Sequence, residues 1–200
     1  VEHYGLTIPT PEDSLLTVNE VSAPRTSYML SKIMGEAMVQ HSGLPFSIFR
    51  PHNIYGPRMG LAHVIPEQLR KAHDADPEDS IDVPSADHTR AFCFVSDSVE
   101  MLFRIMKNES CRDEVLNLGT EAPEITIGDV VRLCIRTVNK SLVINELPPF
   151  EGSPKRRAPD MQKTKDLLEF ESQISLPEGI EKTWAWYREN IFGSAGRSAI

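Results

Sequence analysis

The sequence predicts an α/β protein with a largely parallel sheet, because short apolar runs alternate along the chain with longer amphipathic segments. The apolar runs are typical of buried strands, and the amphipathic segments repeat their apolar residues at helical spacing. Turn residues separate the segments, as Gly43 does after the first predicted helix. Parallel sheets bind ligands beyond the carboxyl ends of their strands, so we expect the chemistry in the loops after Phe49 and Val95.

The elements follow one another in a regular order. The predicted helices cover residues 25–41, 63–73, 96–107, 126–139, 161–170 and 177–190. The predicted strands cover residues 45–49, 81–83, 91–95, 115–118 and 142–147, with a strand end at 1–5 and a polar loop at 148–159. Ser96 or Asp97 is expected to cap the third helix, because short polar side chains satisfy the free backbone N–H groups of a first turn.

Composition limits the class of partner. The net charge is −8 and the pI is about 5.3, which argues against nucleic acid or an anionic membrane as the main partner. The three cysteines contain no CxxC pair and the histidines are scattered, so neither a zinc site nor a disulfide framework is indicated. A reducing, cytoplasmic location is the simplest interpretation. No apolar run approaches the ~20 residues that span a bilayer.

Tyr28 and Lys32 are four residues apart in the first predicted helix and therefore share a face. A free tyrosine phenol, with a pKa near ~10, is a poor base at neutral pH. An ammonium group close by favours the phenolate, which can then exchange a proton with a substrate hydroxyl. Taken alone, a Tyr–Lys pair on a helix is more often a surface contact than a catalytic one.

Four segments in order give the pair a context. They are PRTSYMLSK at residues 24–32, FRPHNIYGPR at 49–58, TRAFCFVSD at 89–97 and RRAPD at 156–160. Together they resemble the motifs of the NAD(P)-dependent epimerase/dehydratase family, the nucleotide-sugar enzymes among the extended short-chain dehydrogenases/reductases. The resemblance implies the C-terminal part of a Rossmann-type doubly wound parallel sheet plus a smaller α/β substrate-binding lobe. It also implies that residues 1–56 end the dinucleotide-binding domain. Residues 57–192 would form mainly the substrate lobe, with a returning strand and helix of the first domain, and residues 193–200 would form a loose tail.

The resemblance also assigns roles to individual residues. Tyr28 would be the acid/base, and Tyr28 and Lys32 would both contact the cofactor, NAD with NADP not excluded. A nucleotide-sugar substrate would be bound by Asn53, Arg90, Arg157, Asp160 and Arg58. Each of these has a structural alternative: a turn residue for Asn53, a surface ion pair for Arg90, helix capping for Arg157 and Asp160, and loop locking for Arg58.

The chain departs from the family at its start. The Gly-rich turn of the dinucleotide site is absent, and the catalytic Ser or Thr would fall one residue before Val1. We therefore expect these 200 residues alone to be inactive. Val1 occupies the position where 4,6-dehydratases carry an Asp, which disfavours 4,6-dehydration because valine cannot act as an acid. Epimerisation is favoured, and the alternatives are a nucleotide-sugar decarboxylase or dehydratase of the same family, or a non-catalytic relative that binds the nucleotide-sugar or the cofactor.

The first helix carries more apolar residues than one buried stripe requires. They are Met29, Ile33, Met34, Ala37, Met38 and Val39. The resemblance implies a homodimer packed through this helix, and a two-fold partner is the commonest way to cover a surplus apolar face. The alternative is that an upstream part of the protein covers it.

Overall fold

The computed structural model describes residues 7–18, 20–24, 26–149 and 153–193. Its helices are α1 Thr26–Gln40, α2 Val64–Asp74, α3 Val95–Lys107, α4 Ile127–Thr137, α5 Gln162–Leu168 and α6 Leu176–Asn190, with a 3-10 turn at Glu109–Cys111. Its strands are β1 Ser47–Pro51, β2 Ile54–Tyr55, β3 Ser80–Pro84, β4 Thr89–Arg90, β5 Cys93–Phe94, β6 Glu114–Leu118, β7 Ile125–Thr126, β8 Val143–Leu147 and β9 Arg156–Arg157. The predictions for residues 1–5 and most of the tail lie outside the described residues.

The strands pair in small, mostly parallel sheets. β1 pairs with β6, β2 with β5 and β3 with β8, all in parallel. β4 lies between β7, which is antiparallel to it, and β9, which is parallel. The predicted α/β class with parallel pairing is confirmed. Since β1 and β6 are in register from Ser47↔Glu114 to Pro51↔Leu118, their carboxyl ends lie side by side.

Buried apolar residues form three clusters. One lies under α6 and contains Tyr55, Leu69, Phe94, Ile180, Trp184 and Tyr187. The second packs α3 and α5 against β6 and contains Met101, Ile105, Leu116, Leu118 and Met161. The third lies between α2, α4 and β3 and contains Ala72, Ile81, Val83, Val131 and Ile135. Trp184 and Tyr187 therefore dock α6 on the core.

The start of α3 differs from the prediction. The helix begins at Val95 with Phe94 as its N-cap, so the predicted strand over 91–95 reduces to Cys93–Phe94. The Asp97 carboxylate does not cap the helix. It is buried and accepts hydrogen bonds from the Ser172 hydroxyl at 2.7 Å and from the backbone N–H groups of residues 173 and 174 at 2.9 Å each. The Asp97 carboxylate thus binds a loop distant in the chain, although the local sequence predicts that it caps the helix.

A polar segment that the sequence predicts as loop contains a strand. Arg156 and Arg157 pair with Thr89 and Arg90 inside the predicted loop over 148–159. Two consecutive arginines carry no apolar alternation, so the periodicity that identifies strands is missing here. The pairing brings the C-terminal third of the chain beside the strand that carries Arg90.

Candidate functional site

The first part of the candidate site is the exposed face of α1. Tyr28 is 56% exposed, and the Lys32 Nζ lies 5.3 Å from the centroid of its ring. Among the described residues of this helix, only Thr26 and Met29 are buried. The Thr26 hydroxyl donates to the carbonyl of Glu20 and so fixes the N-terminal end of the helix. The four-residue spacing thus brings the phenol and the ammonium together on an accessible surface, as predicted.

An ion pair joins α1 to β1. The Arg50 guanidinium donates to both oxygens of the Glu36 carboxylate, from Nε at 2.9 Å and from Nη2 at 2.7 Å. Glu36 lies one turn beyond Lys32, and Arg50 precedes the last residue of β1. Arg50 also donates from Nη1 to the carbonyl of Glu12 at 2.8 Å. The helix that carries the Tyr–Lys pair is therefore tied to the strand that leads to Asn53.

The second part of the site is the β4–β9 pair. Arg90 and Arg157 are partners in the register of these parallel strands, so their backbones lie side by side. The Arg90 guanidinium donates to the carbonyl oxygens of Thr89 at 2.7 Å and Pro154 at 2.8 Å. Arg90 thus anchors the segment that contains Arg157.

Asn53 has a structural bond that connects it to this second part. Its side-chain amide donates to the carbonyl of Ala91 at 2.9 Å, and its own carbonyl accepts from the Cys93 N–H at 3.2 Å. Its backbone is left-handed, with φ of 44°, a conformation that asparagine adopts more readily than most residues. The turn therefore places Asn53 directly beside the strand segment that follows Arg90.

Asp160 and Arg58 occupy different settings. The Asp160 carboxylate accepts from the Gln162 N–H at 2.9 Å immediately before α5, whose N-cap residue is Met161. Its backbone N–H donates to the Thr10 carbonyl at 2.9 Å. Arg58 is exposed and has a left-handed φ of 64°. Neither arrangement tests a ligand role, so both residues remain predicted site residues.

Sequence reasoning missed a buried polar network at the carboxyl ends of β1 and β6. The Asn117 side chain donates to the carbonyls of Thr10 at 3.0 Å and Asp160 at 2.9 Å, and its Oδ1 lies 3.0 Å from His52 Nε2. The Glu12 carboxylate accepts from the Asn117 N–H at 2.7 Å. These partners are separated by up to 107 positions in the chain, so no local pattern could reveal them.

Two acid–base pairs border the second part of the site. The Glu124 carboxylate binds the Arg156 guanidinium, with the closest contact at 2.6 Å, and this hydrogen bond lowers the pKa of Glu124. Glu121 accepts from Lys165 Nζ at 2.8 Å, which likewise lowers its pKa. Arg156 is thus paired, although its sequence suggests a solvated basic run. Of the two arginines of this run, Arg157 is the one that matches the family motif.

The described part of the chain contains neither a candidate metal-binding cluster nor a helix that could span a membrane. Within residues 7–18, 20–24, 26–149 and 153–193, no cluster of three or more His, Cys, Asp or Glu residues could hold a metal ion. Over the same residues, no helix is long and apolar enough to cross a bilayer. The three cysteines are free and buried.

The fold and these motifs indicate one protein family, and comparison with known proteins agrees. Residues 1–119 match the NAD dependent epimerase/dehydratase family. The chain therefore belongs to that family.

Individual relatives are nucleotide-sugar enzymes. The chain is 33% identical over 202 aligned residues to a UDP-N-acetyl-alpha-D-glucosaminuronate decarboxylase of Bacillus cytotoxicus, covering 94% of this chain and 61% of the relative. It thus spans less than two thirds of that relative's length. Among solved structures, a UDP-glucuronic acid 4-epimerase from Bacillus cereus aligns with a TM-score of 0.78 at 22% identity, over 93% of this chain and 58% of the other. A dTDP-glucose 4,6-dehydratase from Bacillus anthracis aligns with a TM-score of 0.76 at 23% identity, over 94% and 58%. The structural matches support the predicted Rossmann-type fold.

Proposed function

We propose that the protein is an NAD-dependent nucleotide-sugar epimerase in which Tyr28 is the acid/base. The observation that carries the proposal is the Tyr28–Lys32 pair, with the ammonium 5.3 Å from the ring centroid on the accessible face of α1. Membership of the epimerase/dehydratase family supports the same reaction class. Tyr28 would remove a proton from a sugar hydroxyl and return it, while Lys32 stabilises the phenolate.

The cofactor we propose is NAD, which the B. cereus epimerase and the B. anthracis dehydratase bind in their structures. When bound, a nicotinamide accepts and returns a hydride. The residues present fit this group, because Lys32 is exposed and carries hydrogen-bond donors beyond its contact with the Tyr28 ring. We propose that Tyr28 and Lys32 contact it, and that residues 1–56 end the dinucleotide-binding domain.

The substrate we propose is a nucleoside diphosphate sugar held by Arg90 and Arg157. Their side-by-side backbones support a two-arginine clamp, since a guanidinium binds phosphate oxygens through two parallel N–H groups. Asn53 would donate to the same ligand, with Asp160 on the nucleoside ribose and Arg58 at the rim. Residues 57–192 would form mainly the substrate lobe and would also include a returning strand and helix of the dinucleotide-binding domain. The hydrogen bonds from Arg90 to the residue 153–157 segment support this clamp, because they fix the loop that carries Arg157.

A second candidate is decarboxylation of a sugar acid nucleotide. The observation that favours it is the 33% identity to the B. cytotoxicus decarboxylase. Both reactions begin with the same proton removal by tyrosine, so the candidate site supports either. They differ in the product, because a decarboxylase releases carbon dioxide and an epimerase does not.

The homodimer remains a proposal that α1 supports. Met34 is 61% exposed and Met38 is 67% exposed, and both project from the helix that carries Tyr28. An apolar helix face of this kind is commonly covered by a two-fold partner. We also propose a cytoplasmic location, which agrees with three free cysteines.

The test is turnover by the full-length protein on UDP-glucose, UDP-glucuronic acid, UDP-N-acetylglucosaminuronic acid, dTDP-glucose and GDP-mannose. Products are separated by chromatography and carbon dioxide is measured in parallel. Tyr28→Phe is expected to lower kcat by ~10²-fold or more with little change in KM, because only the positioned proton transfer is lost. Glu109→Gln, in an exposed turn far along the chain, is the matched control and should keep wild-type turnover. Wild-type kcat in Tyr28→Phe refutes the assignment, and release of carbon dioxide selects the decarboxylase.

A further inference from the structure

We infer that Glu36 and Arg50 are positioning residues that hold α1, and with it Tyr28 and Lys32, at the carboxyl end of β1. The inference rests on the proposed role of the Tyr–Lys pair and adds two residues to that site. Neither side chain would touch substrate. Their effect would pass through the placement of the helix.

The geometry of the pair is that of a rigid clamp. Two parallel N–H groups of Arg50 meet the two carboxylate oxygens of Glu36 at 2.9 Å and 2.7 Å. Both side chains are only 13% exposed, so water screens the interaction weakly. A bidentate Arg–carboxylate contact fixes orientation as well as distance, because both groups are planar.

The clamp continues beyond β1. The third N–H of Arg50 donates to the Glu12 carbonyl at 2.8 Å, and the Glu12 carboxylate accepts from the Asn117 N–H of β6 at 2.7 Å. Arg50 and Asn117 are themselves partners in the β1–β6 register. A continuous path of hydrogen bonds therefore runs from α1 through β1 and one loop to β6.

The row of residues along α1 explains why this path matters for Tyr28. Tyr28, Lys32 and Glu36 are each four residues apart and therefore follow one another along one side of the helix. Among the described residues, α1 buries only two of its own side chains, so few apolar contacts oppose rotation or sliding. A ~1 Å shift of a reacting group can cost ~10²-fold in rate. We therefore expect the Glu36–Arg50 ion pair to fix α1 and, through the helix, the position of the Tyr28 phenol.

The experiment uses the full-length protein with Glu36→Gln, Glu36→Asp and Arg50→Lys. Glu36→Gln keeps the shape and removes the charge, whereas Arg50→Lys keeps the charge and removes the fork. Two controls are matched to these changes. Glu100→Gln breaks a different ion pair, the 2.7 Å contact with Arg104 on α3. Val131→Ala shortens a buried side chain of the third apolar cluster and so lowers the stability of the protein.

Hydrogen exchange of residues 26–40 and the Kd for NAD⁺, from tryptophan fluorescence, are measured first. Glu36→Gln and Arg50→Lys should speed exchange in this segment and raise the Kd by ~5-fold or more, because Lys32 is displaced. With the sugar nucleotide that the full-length protein converts as substrate, both variants should lower kcat by ~10-fold or more and change KM by less than ~2-fold. Glu36→Asp should recover part of the loss, and neither control should show this combination.

The outcomes separate the inference from the proposed function. Wild-type exchange and Kd in Glu36→Gln overturn the positioning role whatever the turnover. A loss of kcat that Val131→Ala reproduces at equal thermal stability also overturns it, because a general loss of stability then suffices. Wild-type kcat in Tyr28→Phe overturns the proposed function instead, and faster exchange in residues 26–40 would still support the clamp.

Discussion

Gly179 lies where α6 packs closely against the core, and Gly179→Ala is expected to destabilise the protein. A Cβ at this position would lie 2.0 Å from the Tyr55 hydroxyl oxygen, 2.7 Å from its Cζ and 2.9 Å from Phe94 Cδ2. Tyr55 cannot easily retreat, because it is buried and donates to the Leu176 carbonyl at 3.2 Å. Overpacking of a core costs about 1–3 kcal/mol, and contacts this short place the cost at the upper end.

The opposing term is helix propensity, which favours alanine over glycine by about 1 kcal/mol. The net loss is therefore about 2 kcal/mol, and a chain of this size loses about 2–4 °C of Tm for each kcal/mol, so Tm should fall by about 4–8 °C. Gly35→Ala is the matched control, because among the described residues a Cβ there meets nothing within 4 Å and α1 has the same length as α6. Calorimetry of both variants in the full-length protein measures the difference.

The contact with Tyr55 can be isolated by a double mutant. Tyr55→Phe removes the oxygen at 2.0 Å and leaves the ring carbon at 2.7 Å as the nearest atom of that side chain. Gly179→Ala should therefore cost about 1 kcal/mol less in the Tyr55→Phe background than in the wild type. Equal Tm values for Gly179→Ala and Gly35→Ala would refute the reasoning, since steric conflict would then contribute nothing.

Three further predictions concern binding, assembly and thiol chemistry. Arg90→Lys should raise the Kd of UDP-glucose by ~10-fold in calorimetry, because lysine keeps the charge but lacks the planar fork of arginine. Unchanged affinity would contradict the proposed binding of the diphosphate by Arg90 and Arg157. Met34→Glu should shift the full-length protein from dimer to monomer in sedimentation, and a wild type that is already monomeric at micromolar concentration refutes the interface. Burial raises the pKa of the Cys134 thiol to about 12 and also raises the pKa values of Cys93 and Cys111, so a disulfide reagent at mildly alkaline pH should label these thiols only after unfolding. Rapid labelling of the native protein would show that they are accessible.

Local signals predicted the elements that depend on local interactions. The predicted helix over 126–139 forms as α4 Ile127–Thr137, and the Thr126 hydroxyl caps it by accepting from the Asp129 N–H at 3.0 Å. A cap and an apolar periodicity lie within a few residues of each other, so sequence reveals both. Asp97 shows the limit, because an equally good capping residue is used by a loop 75 positions away.

The candidate site divides in the same way. Helical spacing correctly predicted that Tyr28 and Lys32 share a face of α1, and their catalytic role stays a prediction. The Glu36–Arg50 contact was not predicted, because which acid an arginine meets depends on how a helix packs on a strand. The same holds for Arg156, which is bound by Glu124 across 32 positions. Residue types and spacing therefore predict a candidate chemistry, and tertiary packing decides which charges face each other.

The bridge between Thr10 and Pro159 has a consequence for biosynthesis. Thr10 donates from its N–H to the Ala158 carbonyl at 3.0 Å, and its own carbonyl accepts from the Asp160 N–H at 2.9 Å. During translation, residue 10 leaves the ribosome about 150 residues before residue 159. At ~5–20 residues per second, Thr10 therefore lacks its bridge partner for ~8–30 s. Contacts of such long sequence separation also slow folding, because loop closure precedes any gain from pairing. A nascent chain halted before residue 158 would therefore carry Asn117 without the Asp160 carbonyl that accepts its side-chain hydrogen bond.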